Sequence, residues 1–313
     1  MALTLTEAAA ISTDQLHKGV LETFVNTSPI LDRIPFETIN GTALTYTMED
    51  ELPGVAWRGV NEAYPESTGA FARKSETLYI LGGDADVDTF IQATYSNIED
   101  QRAAQTALKV KALAYEFQDV FFNGDNDEDE NQFDGLKTRL TGDQVIEAGE
   151  NGLPIIGSSD EDRHAFFDKL DELKAAVPGV SAFYMPEPIL SRVKSAARRL
   201  TMYDQTTDSF GKTVAMYDGV PMIGIGNRPD GSPILGTDEV QGTAENTGSI
   251  YAVKYGNGVG DGGVTGLTNG GVKVQDLGQL QEKPALRTRI EFFVGMALFS
   301  GKAAARLKGV IPA

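Results

Sequence analysis

Residues 42 to 80 run out and back with almost nothing to bury, and this restricts the fold more than any short motif does. Leu44, Tyr46 and Met48 alternate with threonines, the period-2 pattern of a strand with one apolar face. The return run, Phe71 to Ile80, is rich in strand formers at Thr77, Leu78, Tyr79 and Ile80. Between them lie Pro53-Gly54, Trp57-Arg58-Gly59 and Tyr64-Pro65-Glu66-Ser67, with little apolar clustering. A hairpin-like excursion of this length without core-forming residues is uncommon inside a compact domain and predicts an arm. The single tryptophan, Trp57, falls near its tip, where such a ring serves best as an interface anchor.

The segments on either side are more ordinary. Ser12-Thr13-Asp14-Gln15 reads as a helix start, and Leu16, Val20 and Phe24 follow as one apolar stripe until Pro29 and Pro35. A helix of about 14 residues with one stripe cannot stand alone and must dock. A second capping pattern, Ser96-x-x-Glu99, opens the strongest helix signal, in which Ile98, Ala104, Leu108, Ala112, Tyr115 and Phe121 recur near helical spacing. That helix reaches to about Phe122, ~40 Å along its axis, and stops at Asn123-Gly124. An acidic loop follows, Asp125 to Asp134, and then helices and strands alternate. Helices are expected at Asp160 to Ala176 and Pro188 to Leu200, with strands at Ser181 to Met185, Thr213 to Met216, Val220 to Ile225 and Ser249 to Tyr255. Gly256 to Gly271 reads as a glycine-rich loop, and Val272 to Gln275 and Leu286 to Phe293 as strands, before an Ala/Lys/Arg segment that precedes Ile311. No repeat is visible, and the class is α+β with at least one long arm.

Composition excludes much chemistry. The 313 residues suffice for one large or two ordinary domains. There are 45 acidic and 27 basic side chains, and the net charge of −18 opposes non-specific binding to nucleic acid or anionic membranes. The absence of cysteine rules out disulfides, thiolate metal sites and cysteine nucleophiles. The two histidines, His17 and His164, lie beside no serine–acid arrangement. No secretory signal pattern opens the chain, and its most apolar late segment, Phe292 to Phe299, falls well short of the roughly 20 residues of a membrane span. A soluble, cytoplasmically made protein is expected.

Each chemical motif fails on its surroundings. Gly258-x-Gly260-x-x-Gly263 spells a dinucleotide fingerprint but precedes a poor helix former. Gly211-Lys212-Thr213 lacks the first glycine of a phosphate loop, having Thr206 there. Asp125, Asp127 and Asp129 open like a calcium loop, yet Glu130 stands where the turn needs glycine and Leu136 where a glutamate is needed. Arg192, Lys194, Arg198 and Arg199 form a basic helix face without interleaved aromatics, better suited to solvent or ion pairing than to a nucleic-acid groove. Asp84, Asp86 and Asp88 share one strand face and repel unless water, a cation or a partner's Arg or Lys meets them. No catalytic residue, cofactor or metal site is assigned.

The order of parts carries more weight than any motif. A docking arm, a long hairpin with "PES" at Pro65-Glu66-Ser67, a long helix ending in "NGD" at Asn123-Gly124-Asp125, and "FDGL" at Phe133 to Leu136 follow in turn. Tyr217-Asp218-Gly219-Val220-Pro221-Met222 and the closing run from Arg289 through Phe293, Gly295 and Ala297 to Gly309 continue the series. Collinear along nearly the whole chain, they resemble the major capsid proteins of tailed bacteriophages with the Hong Kong 97-like fold. The resemblance implies an N-arm over 1–40, an extended E-loop over 41–80, a P-domain from 81–145 (spine helix 96–122) and 266–313, and an A-domain over 146–265. It implies a non-enzymatic structural subunit that assembles with itself into hexamers and pentamers of an icosahedral virion shell. The shell would enclose DNA without binding it specifically, with scaffolding, portal and decoration proteins as separate candidate partners.

Two departures from the family's pattern stand out. No lysine lies between Lys18 and Lys74, so covalent cross-linking through an E-loop lysine is not expected. The segment before residue 40 is short for a built-in scaffolding segment, so scaffolding is expected to be a separate protein or absent. Inter-subunit contact is expected at Trp57, Arg58, Glu62, Tyr64 and Glu66. The competing readings are an encapsulin-type compartment around protein cargo and an acidic hydrolase using Asp84 and Asp86 at raised pKa.

Overall fold

The computed structural model describes residues 24, 27–51, 53–95, 101–157, 159–200, 204–207 and 213–313. The expected first helix apart from Phe24, together with His17, the Ser96–Glu99 capping pattern and Gly211-Lys212, lies outside them.

The first strands among the described residues are β1 (Phe36–Thr38), β2 (Ala43–Glu51), β3 (Ala70–Thr77) and β4 (Tyr79–Asp88). Helices α1 (Thr89–Tyr95), α2 (Gln101–Asn123) and α3 (Leu136–Arg139) follow. The middle holds β5 (Val145–Glu147), β6 (Leu153–Pro154), α4 (Asp160–Ala176), β7 (Ala182–Pro186), α5 (Glu187–Arg199), β8 (Asp204–Thr207), β9 (Thr213–Tyr217), β10 (Val220–Ile225), β11 (Glu239–Gln241) and β12 (Ala244–Val253). Three strands close the chain: β13 (Val264–Gln279), β14 (Ala285–Leu298) and β15 (Ala304–Ile311).

These strands form three sheets among the described residues. One has the order β1-β13-β14-β4, and α2 packs across it on β4 and β14. At 16 residues, β13 spans roughly 50 Å, so this sheet is a long narrow ribbon with the helix along it. Its core is aromatic: Phe36, Phe117 and Phe292 meet at centroid distances of 5.6 to 6.3 Å, and Phe24 reaches Phe292 edge-on at 5.4 Å. The part of the N-terminal stripe that is described thus docks on its own chain. A fully buried phenylalanine contributes about 1.5–3 kcal/mol through apolar area alone.

The nine-stranded sheet runs β5-β15-β12-β7-β10-β9-β8, with β6 on β15 and β11 on β12. Helices α4 and α5 cover it, burying Phe166, Leu170, Leu173, Ile189 and Val193 against Phe183, Met185 and Ile250. Ser159 caps α4 in a reciprocal pair with Asp162. The Ala/Lys/Arg segment proves to be β15, with Ala304, Ala305, Leu307 and Val310 buried, so the chain's return enters both large sheets.

The glycine-rich stretch differs from expectation. Only residues 256–263 form the loop, and β13 begins at Val264. Gly266 is close-packed, since a Cβ there would stand 2.5 Å from the Phe36 ring. Gly270 and Gly271, at φ +83 and +69, form the register shift between Thr268 and Val272. Glycine here serves contact and bulge geometry inside a strand.

Candidate inter-subunit contact site

The third sheet is β2 and β3 alone, paired antiparallel from Ala43↔Thr77 to Glu51↔Ala70. Every residue from 53 to 68 beyond it is exposed. Among the described side chains of residues 43–48 and 53–77, Tyr46 is the one that is buried. The excursion is an arm, as its composition predicts.

The tip holds a shape without a core. Gly59 N–H donates to Glu62 Oε2 at 2.8 Å, across a turn in which Asn61 adopts φ +70. Arg58 Nη1 donates to the Glu62 carbonyl at 3.3 Å, and its guanidinium lies 5.0 Å from the centre of the Tyr64 ring. At an exposed site such a cation–ring contact contributes about 0.5–1 kcal/mol. Ser67 Oγ donates to the Gly54 carbonyl at 2.8 Å and ties the two limbs together. Of the five expected contact residues, Arg58, Glu62 and Tyr64 are thus brought together, while Trp57 and Glu66 stand apart on the same tip. Trp57 is fully exposed at 103 %, beside Val55 at 95 % and Val60 at 92 %.

At the root, a small core forms from Ile39, Tyr46, Leu267, Ala297 and Phe299, with Leu44, Met48 and Leu78 against it. The Tyr46 ring meets Phe299 edge-on at 4.8 Å, and its hydroxyl donates to the Leu298 carbonyl at 3.0 Å. Burial, and then the Glu76 carboxylate, push that hydroxyl's pKa above the usual tyrosine value. Arg139 forks onto Glu76 with both bonds at 2.7 Å, and its Nε donates to the Asp134 carbonyl at 2.7 Å. A polar cavity of about 120 Å³ beside this pair is lined by Lys74, Gln144 and Ser300, among others. No spacing signals the Glu76–Arg139 pair, whose members are 63 residues apart. The available hint is the "FDGL" turn that delivers Arg139: Gly135 N–H donates to the Gly124 carbonyl at 2.8 Å, and neither glycine has room for a Cβ.

The strand-face carboxylates are met from within the chain. Asp84 accepts from Arg289 Nε and Nη2 at 2.8 and 3.0 Å, directly across β4 and β14. Asp86 accepts from Arg287 Nε at 2.6 Å and from Lys283 Nζ at 2.5 Å. Asp88 Oδ1 accepts from the Phe90 N–H at 2.7 Å, as a cap at the start of α1. Hydrogen bonds from Arg289 hold the Asp84 carboxyl below the usual range, and those from Arg287 and Lys283 do the same to Asp86. A general acid needs the opposite shift, so this pair lacks the raised pKa that the hydrolase reading asks for.

The remaining motifs settle into structure. Asp125 Oδ1 and Asp129 Oδ1 accept from backbone N–H groups two residues on, closing the acidic loop on itself. Among the described residues no group of three His, Asp or Glu side chains could hold a metal ion. Gly258–Gly263 contains one 3-10 turn, Val259–Asp261, and leads into the strand β13 in place of an α-helix. His164, Arg192, Arg198 and Arg199 are exposed. No described helix is long and apolar enough to cross a membrane.

Comparison with known proteins follows the same lines. The family model of major capsid protein GP7 matches residues 12–158, the stretch that contains the arm and α2. No curated protein matches the sequence. The holo-SrpI encapsulin complex from Synechococcus elongatus PCC 7942 aligns over 92 % of this chain and 89 % of its own, at 15 % identity and TM-score 0.65. The capsid of an empty GTA particle aligns over 91 % and 90 %, at 15 % identity and TM-score 0.59. A structure from Microbacterium phage Oxtober96 aligns over 91 % of each chain, at 14 % identity and TM-score 0.56. At such identities the shared property is the fold. The family match, which covers just under half of the chain, and the shared Hong Kong 97-like fold both liken it to major capsid proteins.

Proposed function

We propose that the protein is the repeating shell subunit of a phage virion, assembling with itself into hexamers and pentamers around DNA and made in the host cytoplasm. The observation that carries this reading is the arm: a shaped tip with Trp57, Val55 and Val60 in solvent, uncovered by any of the described residues. Exposed apolar groups held on a defined turn fit contact with a second copy. The N-arm, E-loop, P-domain and A-domain divisions at 1–40, 41–80, 81–145 with 266–313, and 146–265 belong to this proposal. So do Trp57, Arg58, Glu62, Tyr64 and Glu66 as contact residues, and separate scaffolding, portal and decoration proteins as partners.

The likeness to the encapsulin supports a second reading, in which the same shell holds protein cargo. The contents of purified particles distinguish them. Nuclease-protected DNA of uniform length is expected; particles that carry a defined protein and no nucleic acid would establish the second reading instead.

A further inference from the structure

An exposed tip serves a neighbour only if its direction is set, and the contacts able to set it are concentrated at the root. The two terminal nitrogens of Arg139 each donate to one oxygen of Glu76, near the end of β3. Two parallel bonds hold guanidinium and carboxylate in one plane, which the point charge of a lysine cannot do. The third contact, from Nε to the Asp134 carbonyl, fixes the guanidinium to the turn between α2 and α3. Glu76 Oε1 also lies 3.3 Å from the Tyr46 hydroxyl on β2, which is itself bonded to Leu298. Both strands of the arm are thus joined to the body by one linked set of polar contacts. The Glu76 and Arg139 side chains are only 13 % and 16 % exposed, so water screens their attraction weakly.

We propose that Arg139 is the positioning residue of the arm, fixing through Glu76 the direction in which residues 43–77 leave the body. Its purpose rests on the shell-subunit reading, but its action belongs to the lone subunit and is tested there.

The chain has no cysteine, so engineered ones are labelled cleanly. Spin labels are placed at Thr68→Cys near the tip and Ser191→Cys on α5, both exposed positions, in dilute unassembled protein. Their distance distribution is read by pulsed electron resonance. With Arg139 intact, one narrow distribution is expected. Arg139→Ala is expected to broaden it at least twofold while cooperative unfolding of the body persists, and Arg139→Lys to give an intermediate width. Should Arg139→Ala fail to fold, Glu76→Gln carries the same measurement from the arm side. A distribution equally narrow without the pair, or already broad with it, overturns the proposal. A narrow distribution that depends on Arg139 in a protein that never forms particles would uphold it and count against the shell reading.

Discussion

Trp57 and Gly135 illustrate opposite reasons for a residue to stand where it does. Trp57 contacts solvent, and its removal should leave the subunit's unfolding transition unchanged. Loss of an interface anchor costs about 2 kcal/mol per contact, on the order of thirtyfold in association, so Trp57→Ala is expected to raise the concentration at which light scattering detects assembly. Loss of the fold itself would contradict this. At Gly135 an added Cβ would stand 2.6 Å from the Val120 carbonyl oxygen and 2.7 Å from Gly124 N. Gly135→Ala is therefore expected to destabilise the lone subunit by about 2 kcal/mol, seen as a lower thermal midpoint. An unchanged midpoint would show that the turn can yield. Trp57 was legible as a tip residue because composition alone leaves residues 53–68 without a core. The role of Gly135 was visible only as a motif, because the backbone it crosses is that of Gly124, brought close by folding.

At the scale of elements, the ladder between β4 and β14 sets Arg289 and Arg287 against Asp84 and Asp86, while Asp88 caps α1. Asp86 has a depressed pKa in the fold, so its stabilising contribution is full above the unfolded value of about 3.9 and is lost as pH falls below it. Asp86→Asn should lower stability at neutral pH and flatten the decline in denaturation midpoint between about pH 4 and pH 2. An unchanged acid profile would mean that other carboxylates dominate. Periodicity read the helices well: α4 has the expected limits, and α2 ends at Asn123, where Asn-Gly offers an exit. Its expected start lies outside the described residues. The glycine-rich stretch misled because β13 uses glycine for Phe36 contact and for a bulge, and composition does not distinguish those uses from a loop. The Arg partners of Asp84 and Asp86 were likewise hidden, since register across about 200 residues is a tertiary property.

On the scale of the whole molecule, the order of parts was the legible signal. A coreless hairpin, a long helix ending in Asn-Gly and a closing strand run give the Hong Kong 97-like outline even though each motif is short. The Glu76–Arg139 root was not legible, because it joins segments that only the completed sheet brings together. An arm of this kind, with apolar groups displayed on a hydrogen-bonded turn, is what the shell-subunit proposal assigns to contact among copies. Negative-stain microscopy with light scattering on the concentrated purified protein tests that most directly. Closed uniform particles or capsomer rings are predicted. Single subunits that persist at high concentration, and remain single in the presence of any separate scaffolding protein, would contradict the shell reading.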